Sequence, residues 1–120
     1  MAQTLKGELV VIPFPFTDLS HVTKRPAYVC AVLKGNDVIL CQVTSKQRHD
    51  EYSISLSNTD LMSGFFHIDS FIRPNRLFTL DASLIMRNIG IVTREKQHRI
   101  EQKLISIFRS QSPQGNGLIP

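Results

Sequence analysis

Lys24-Arg25-Pro26-Ala27-Tyr28-Val29-Cys30-Ala31-Val32-Leu33-Lys34-Gly35-Asn36-Asp37-Val38-Ile39-Leu40-Cys41-Gln42-Val43-Thr44-Ser45-Lys46 reads as two β-strands joined by a tight turn. Both flanking runs are rich in β-branched residues, and Gly35-Asn36 sits between them. Glycine accepts positive φ without steric cost, so a short Gly-Asn loop between such runs marks a hairpin. A two-residue loop sets Leu33 opposite Val38, Cys30 opposite Cys41, Ala27 opposite Thr44 and Arg25 opposite Lys46. Arg25 and Thr44 then become diagonal neighbours on one face, with Cα atoms about 7–8 Å apart. The outer ends of the hairpin carry Lys24, Arg25, Thr44, Ser45 and Lys46. A positive, hydroxyl-bearing cluster of this kind suits a phosphate diester better than a protein core.

Outward from the hairpin, Gly7-Glu8-Leu9-Val10-Val11-Ile12 reads as a first strand, stopped by Pro13-Phe14-Pro15-Phe16 because proline cannot donate to a ladder. Residues 17–24 form a polar loop carrying Asp18, Ser20 and His21. After the hairpin comes a charged connection, Gln47-Arg48-His49-Asp50-Glu51, then Tyr52-Ser53-Ile54-Ser55-Leu56, which alternates as a half-buried strand does. Ser57 to Gly64 is turn-like, with room for one helical turn at 59–62. Strands His67–Ile72 and Arg76–Leu80 flank a turn or bulge at Arg73-Pro74-Asn75, and Met86–Val92 is a last strand, interrupted by Gly90. Thr93 is a plausible N-cap for the one long helix, with Glu95 in its first turn. Ile100, Leu104, Ile107 and Phe108 form its apolar stripe. From Ser110 the composition turns to Ser, Gln, Gly, Asn and Pro. Residues 1–109 are therefore read as a single domain and 110–120 as a disordered tail. The expected fold is mainly β: a small SH3-like β-barrel of about seven strands with a C-terminal α-helix.

The 120 residues suffice for one modest core, and a 42% apolar, 20% charged composition is that of an ordinary globular chain. No apolar run reaches the roughly 18 residues that span a bilayer. Met1 to Lys6 has no hydrophobic signal core, which points to a cytoplasmic protein without membrane attachment. Fourteen Lys and Arg against ten Asp and Glu give a net charge of +4, leaning toward RNA, DNA or an acidic protein as partner. The two cysteines, Cys30 and Cys41, are expected to be reduced and buried. With no CxxC and with His21, His49, His67 and His98 scattered, no structural metal is expected.

Gly7-Glu8-Leu9-Val10-Val11, Lys24-Arg25-Pro26-Ala27, Val43-Thr44-Ser45 and Ile72-Arg73-Pro74-Asn75-Arg76-Leu77-Phe78-Thr79-Leu80-Asp81, followed by a final helix, together resemble the MazF/PemK family. These are toxins of type II toxin–antitoxin modules, and the resemblance runs from about Gly7 to Phe108. It implies a homodimeric β-barrel that cuts single-stranded RNA at short sequences, needs no metal or other cofactor, and is silenced by a cognate acidic antitoxin. The resemblance assigns catalysis to Arg25, Thr44 and Arg73. Metal-free cleavage by a ribose 2′-OH needs a base, an acid and donors for the growing phosphate charge. Arg25 serves as a donor more readily than as a base, since an arginine hardly deprotonates. Thr44 can hydrogen-bond the phosphate or the 2′-OH.

This chain also departs from the family pattern. Where several relatives carry a carboxylate base it has Asn75, which cannot accept a proton at neutral pH. His21, with an ordinary pKa of about 6.5, is a candidate for that task; His67 and Asp69 share a strand face and are further candidates. The glycine before Arg-Pro in many relatives is replaced by Val22-Thr23-Lys24. Lys24, Ser45, Lys46 and Arg48 would gather at the edge beside Arg25 and draw in the RNA backbone, with Asn75 among the RNA contacts. Phe14 or Phe16 can either stack on an unpaired base or close the barrel. Two alternatives stand beside the ribonuclease: a catalytically silent RNA- or antitoxin-binding barrel, and a gyrase inhibitor of the CcdB type. The latter class engages gyrase through a segment containing tryptophan, and this chain has none.

Overall fold

The computed structural model describes residues 3–14, 23–47 and 49–111. The elements run β1 (Glu8–Phe14), β2 (Thr23–Val32), β3 (Asp37–Thr44), β4 (Ile54–Leu56), β5 (Leu61–Gly64), β6 (Ser70–Asp81), β7 (Arg87–Val92) and α1 (Arg94–Arg109). All seven strands join one antiparallel sheet in the order β4-β6-β3-β2-β1-β7-β5, curled into a half-barrel.

Successive side chains of a strand point to opposite faces, and the three central strands are apolar on both. One face collects Leu9, Tyr28, Cys41, Val43, Ile72 and Val92 against Ile100 of α1. The other collects Val10, Ile12, Ala27, Val29, Val38 and Leu40 against Leu80, with Phe78, Ala82 and Ile85 packed on them. Strands covered on both sides read as continuous apolar runs, which is why Val10-Val11-Ile12 and Tyr28-Val29 show no alternation. Cys30 and Cys41 are free thiols, and burial, reinforced by the neighbouring Cys30, pushes the Cys41 thiol well up.

The hairpin exists, but its register differs from the expected one. Val32 pairs with Val38, Tyr28 with Cys41 and Ala27 with Gln42. The connection spans Leu33–Asn36, with the Leu33 N–H donating to the Asp37 carbonyl at 3.0 Å and Gly35 at φ +80°. A bulge at Cys30 then moves the ladder by one further residue. Cys30 and Cys41 are therefore not directly opposed. β1 continues through Pro13 to Phe14, because its pairing with β7 ends at Val11 and Pro13 no longer owes a donor on that side. β4 begins at Ile54 rather than Tyr52. The turn-like 57–64 segment holds a 3-10 turn (Asn58–Asp60) and a strand, β5.

Helix α1 is capped as expected: the Thr93 side chain accepts from the Lys96 N–H at 3.3 Å. Ile100 is buried, Leu104 and Ile107 are half-buried, and Phe108 is 64% exposed, so the apolar stripe outruns the sheet beneath it. Lys96, in contrast, is buried; its ammonium donates to the Ser55 carbonyl at 2.9 Å and pairs with Asp60 at 3.5 Å, tying α1 to β4 and the 3-10 turn. Ser110 closes the helix by donating its N–H to Ser106, while 112–120 lie outside the described residues. Among the described residues no helix is long and apolar enough to cross a membrane.

β5 and β7 pair Gly64 with Gly90. A Cβ on Gly90 would overlap the backbone carbonyl of Ser63. Gly90→Ala is expected to cost about 1–3 kcal/mol by overpacking. That corresponds to about 4 °C of melting temperature per kcal/mol in a domain of this size. A thermal melt indistinguishable from wild type would refute the close-approach argument.

Candidate functional site

Polar side chains gather where the double-sided core gives out. Ala27 and Gln42 are the last paired residues of β2 and β3 in that direction. Continuing the count by two sets Arg25 across from Thr44, on the face that Ala27 and Gln42 share. Arg25 is opposite Ile12 on its other side, a neighbour from the same face. The ladder itself ends at Ala27–Gln42, and the four-residue connection and the bulge together shift its register by two, so that its continuation would oppose the two residues rather than set them diagonally.

The second arginine, Arg73, reaches the same face through β6. Gln42 pairs with Arg73 and Thr44 with Phe71, whereas Cys41 pairs with Leu77. Pro74, Asn75 and Arg76 are left without partners and form a bulge, where a proline loses no ladder bond. The bulge sets Arg73 beside Gln42 and presents Asn75 to solvent. Gln42, Asn75, Arg76 and Phe14 border a groove of about 370 Å³ floored by Leu77 and Phe78.

Arg25 is exposed and has no ion pair with a described residue, so its donors are available. Thr44 is half-buried; its Oγ1 accepts from the Lys46 N–H at 3.1 Å, leaving the hydroxyl proton to donate. Arg73 is set differently. Its side chain is only 12% exposed, its Nη1 donates to Gln42 Oε1 at 3.3 Å, and its Nη2 lies 3.8 Å from Asp50 Oδ2. Its Nε is buried without a hydrogen-bond partner among the described residues.

Asp50 belongs to the charged connection after β3. Its Oδ1 accepts from the backbone N–H groups of Tyr52 and Ser53, both at 2.9 Å, which turns Oδ2 toward Arg73. Those amides, Ser53 first, hold its carboxyl below the usual carboxylate range, and the Arg73 charge adds to the effect.

Among the other expected contacts, Ser45 and Lys46 are exposed just past β3. Lys24 is opposite Pro13, on the face away from Arg25's neighbour Ile12. It borders a second groove, of about 330 Å³, with Arg25, Pro26, Arg87, Phe65 and His67. His67 packs edge-on against Phe65 at 4.6 Å. His67 and Asp69 precede β6 and are exposed, not paired on a strand. His21, Phe16 and Arg48 lie outside the described residues. Sequence reasoning missed Gln42 and Asp50. Gln42 was within reach, being two residues before Thr44 and so on its face. Asp50 comes near Arg73 only because the connection folds back.

The sequence pattern of the family described as "PemK-like, MazF-like toxin of type II toxin-antitoxin system" matches residues 5–108. Several solved structures share the fold. One is an endoribonuclease in complex with its cognate antitoxin from Mycobacterial species: 15% identity, TM-score 0.70, covering 92% of this chain and 100% of that one. A MazE–MazF complex from Deinococcus radiodurans has 16% identity and a TM-score of 0.70, covering 90% and 97%. The Mycobacterium tuberculosis toxin MazF-mt6 has 12% identity and a TM-score of 0.61, covering 88% and 98%. No curated protein matches this chain.

A carboxylate whose folded pKa is depressed supports its contacts above its unfolded value and loses them as pH falls through the folded one. In a carbon-detected NMR titration Asp50 is therefore expected to titrate below about 3.9, the ordinary aspartate value. Above that pH the Tyr52 and Ser53 amide shifts should stay constant. A midpoint at or above the ordinary value would contradict the hydrogen-bonded turn.

Proposed function

The chain belongs to the PemK-like, MazF-like toxin family of type II toxin–antitoxin systems, and from that premise we propose that it is an endoribonuclease acting on single-stranded RNA. The observation that carries this reading is the gathering on one face of Arg25 and Thr44, near the ends of strands whose centres are buried, with Arg73, which β6 sets beside Gln42. Solved structures of the same fold bear the name endoribonuclease, which supports it.

The reaction follows from RNA chemistry. The ribose 2′-OH loses its proton and attacks the adjacent phosphorus in line, the P–O5′ bond breaks, the 5′-oxygen takes up a proton from water as a 5′-hydroxyl, and a 2′,3′-cyclic phosphate forms. Arg25, exposed and with no ion pair to a described residue, donates to the non-bridging oxygens as charge builds on them. Thr44, its oxygen already occupied by the Lys46 amide, turns its proton to the phosphate or the 2′-oxygen. Arg73 adds a second cation on the same face. Asn75 cannot take the 2′ proton; His21, four residues before Arg25, is assigned that transfer. No step passes through a metal ion. Lys24, Ser45, Lys46 and Arg48 attract the RNA backbone, and splayed bases contacting Phe16 and the loops set the sequence preference.

In the cell the enzyme acts in the cytoplasm, arrests growth by cutting RNA, and works as a homodimer. An acidic antitoxin binds over the basic face and silences it; relatives named as antitoxin complexes support such a partner.

Incubation with a long mixed-sequence RNA in excess EDTA is expected to give discrete cuts ending in 2′,3′-cyclic phosphate. Arg25→Ala should lower the rate by about a hundredfold or more with an unchanged melting temperature, because Arg25 is exposed and has no ion pair with a described residue. Bound but intact RNA would establish the silent binder instead, and a fully active Arg25→Ala variant would displace the site.

A further inference from the structure

We infer that Asp50 and Gln42 are positioning residues that hold the Arg73 guanidinium in one orientation on the RNA-facing side of the sheet. The inference rests on the ribonuclease reading and adds two residues to it.

Three observations meet at Arg73. Its side chain is nearly enclosed, so its rotamer is set by neighbours rather than by water. Gln42 Oε1 accepts from Nη1 on one side, and Asp50 Oδ2 faces Nη2 on the other. Asp50 is itself fixed: two backbone amides grip its Oδ1, leaving Oδ2 free for the arginine. A guanidinium carries five N–H donors. One donates to Gln42, Nη2 lies 3.8 Å from Asp50, and the Nε–H is buried without a hydrogen-bond partner among the described residues. The 3.8 Å separation from Asp50 is well beyond the roughly 2.7–2.9 Å of a closed charge-assisted bond. The cation is thus oriented but under-satisfied, which leaves it able to engage an incoming phosphate oxygen. A short bidentate pair would have left it neutralised.

The test uses the full chain. Asp50→Asn keeps Oδ1 as the acceptor for Tyr52 and Ser53 and removes only the charge facing Arg73. In that variant kcat on RNA is expected to fall about ten- to a hundredfold, while KM changes less than about twofold because the exposed lysines still gather the backbone. Adding Gln42→Glu supplies a carboxylate from the opposite side and should restore most of kcat. An effect that is purely structural would lower stability and would not be rescued by Gln42→Glu. Unchanged kcat in Asp50→Asn, or no rescue in the double variant, overturns the inference.

An independent readout separates it from the ribonuclease reading. In NMR spectra of the free protein, the Arg73 Nη–H groups should give distinct, slowly rotating resonances that average in Asp50→Asn. If wild type cuts no RNA but this change is seen, the ribonuclease reading fails and the positioning stands. If the resonances are alike in both proteins, the positioning fails, whatever the activity.

Discussion

Burial of β1, β2 and β3 on both faces governs everything else in this fold. A strand covered on two sides has no position for an unpaired charge, since a buried ion without partners costs several kcal/mol. Functional groups are therefore driven to the ends of these strands. Arg25 and Thr44 stand there, just past Ala27 and Val43, which are buried, and Arg73 joins their face from β6 through its pairing with Gln42. Nearness of a cationic cluster to a rigid core follows from the same constraint. The backbone under the cluster is held by two layers of packing, so its side chains start from fixed Cα positions.

The structure treats its basic residues in three ways. Lys96 is consumed by architecture, buried beneath the helix and paired to Asp60 and Ser55. Arg25 is left exposed. Arg73 is intermediate: enclosed, flanked by Gln42 and Asp50, and incompletely satisfied. Net charge alone says nothing of this division. A count of +4 includes cations with quite different tasks, and only their burial and partners sort them.

Strand periodicity made part of this legible. Arg25 and Thr44 could be placed on one sheet face because hairpin strands alternate, and that conclusion survived a register error. The error was of two residues, and an even shift preserves the face. Its sources were not visible in the residues: Leu33, an apolar residue, belongs to the connection, and Cys30 forms a bulge without a glycine to announce it. β5 was missed because Leu61-Met62-Ser63-Gly64 lacks alternation and is recruited by Gly90 of β7, a purely tertiary event. Asp50 escaped for a related reason. It lies 23 positions before Arg73 in the chain, and no local pattern links a carboxylate to an arginine that far away. His21, Phe16 and Arg48 fall outside the described residues.

The bulge in β6 divides that strand into two independently registered halves. Ser70–Arg73 is tied to β4 and the end of β3, and Leu77–Asp81 to the beginning of β3. Pro74, Asn75 and Arg76 belong to neither ladder. Substituting Asn75 or Arg76 leaves every inward-facing residue of the two ladders, and the buried Pro74, on its own side of the sheet. The fold thus contains an insulated cassette at the lip of its groove. Asn75 and Arg76 are exposed and their identity can drift from one descendant to the next, while Pro74, fully buried, stays with the packing beneath. Diversification of what such a site reads does not need to be negotiated with the core.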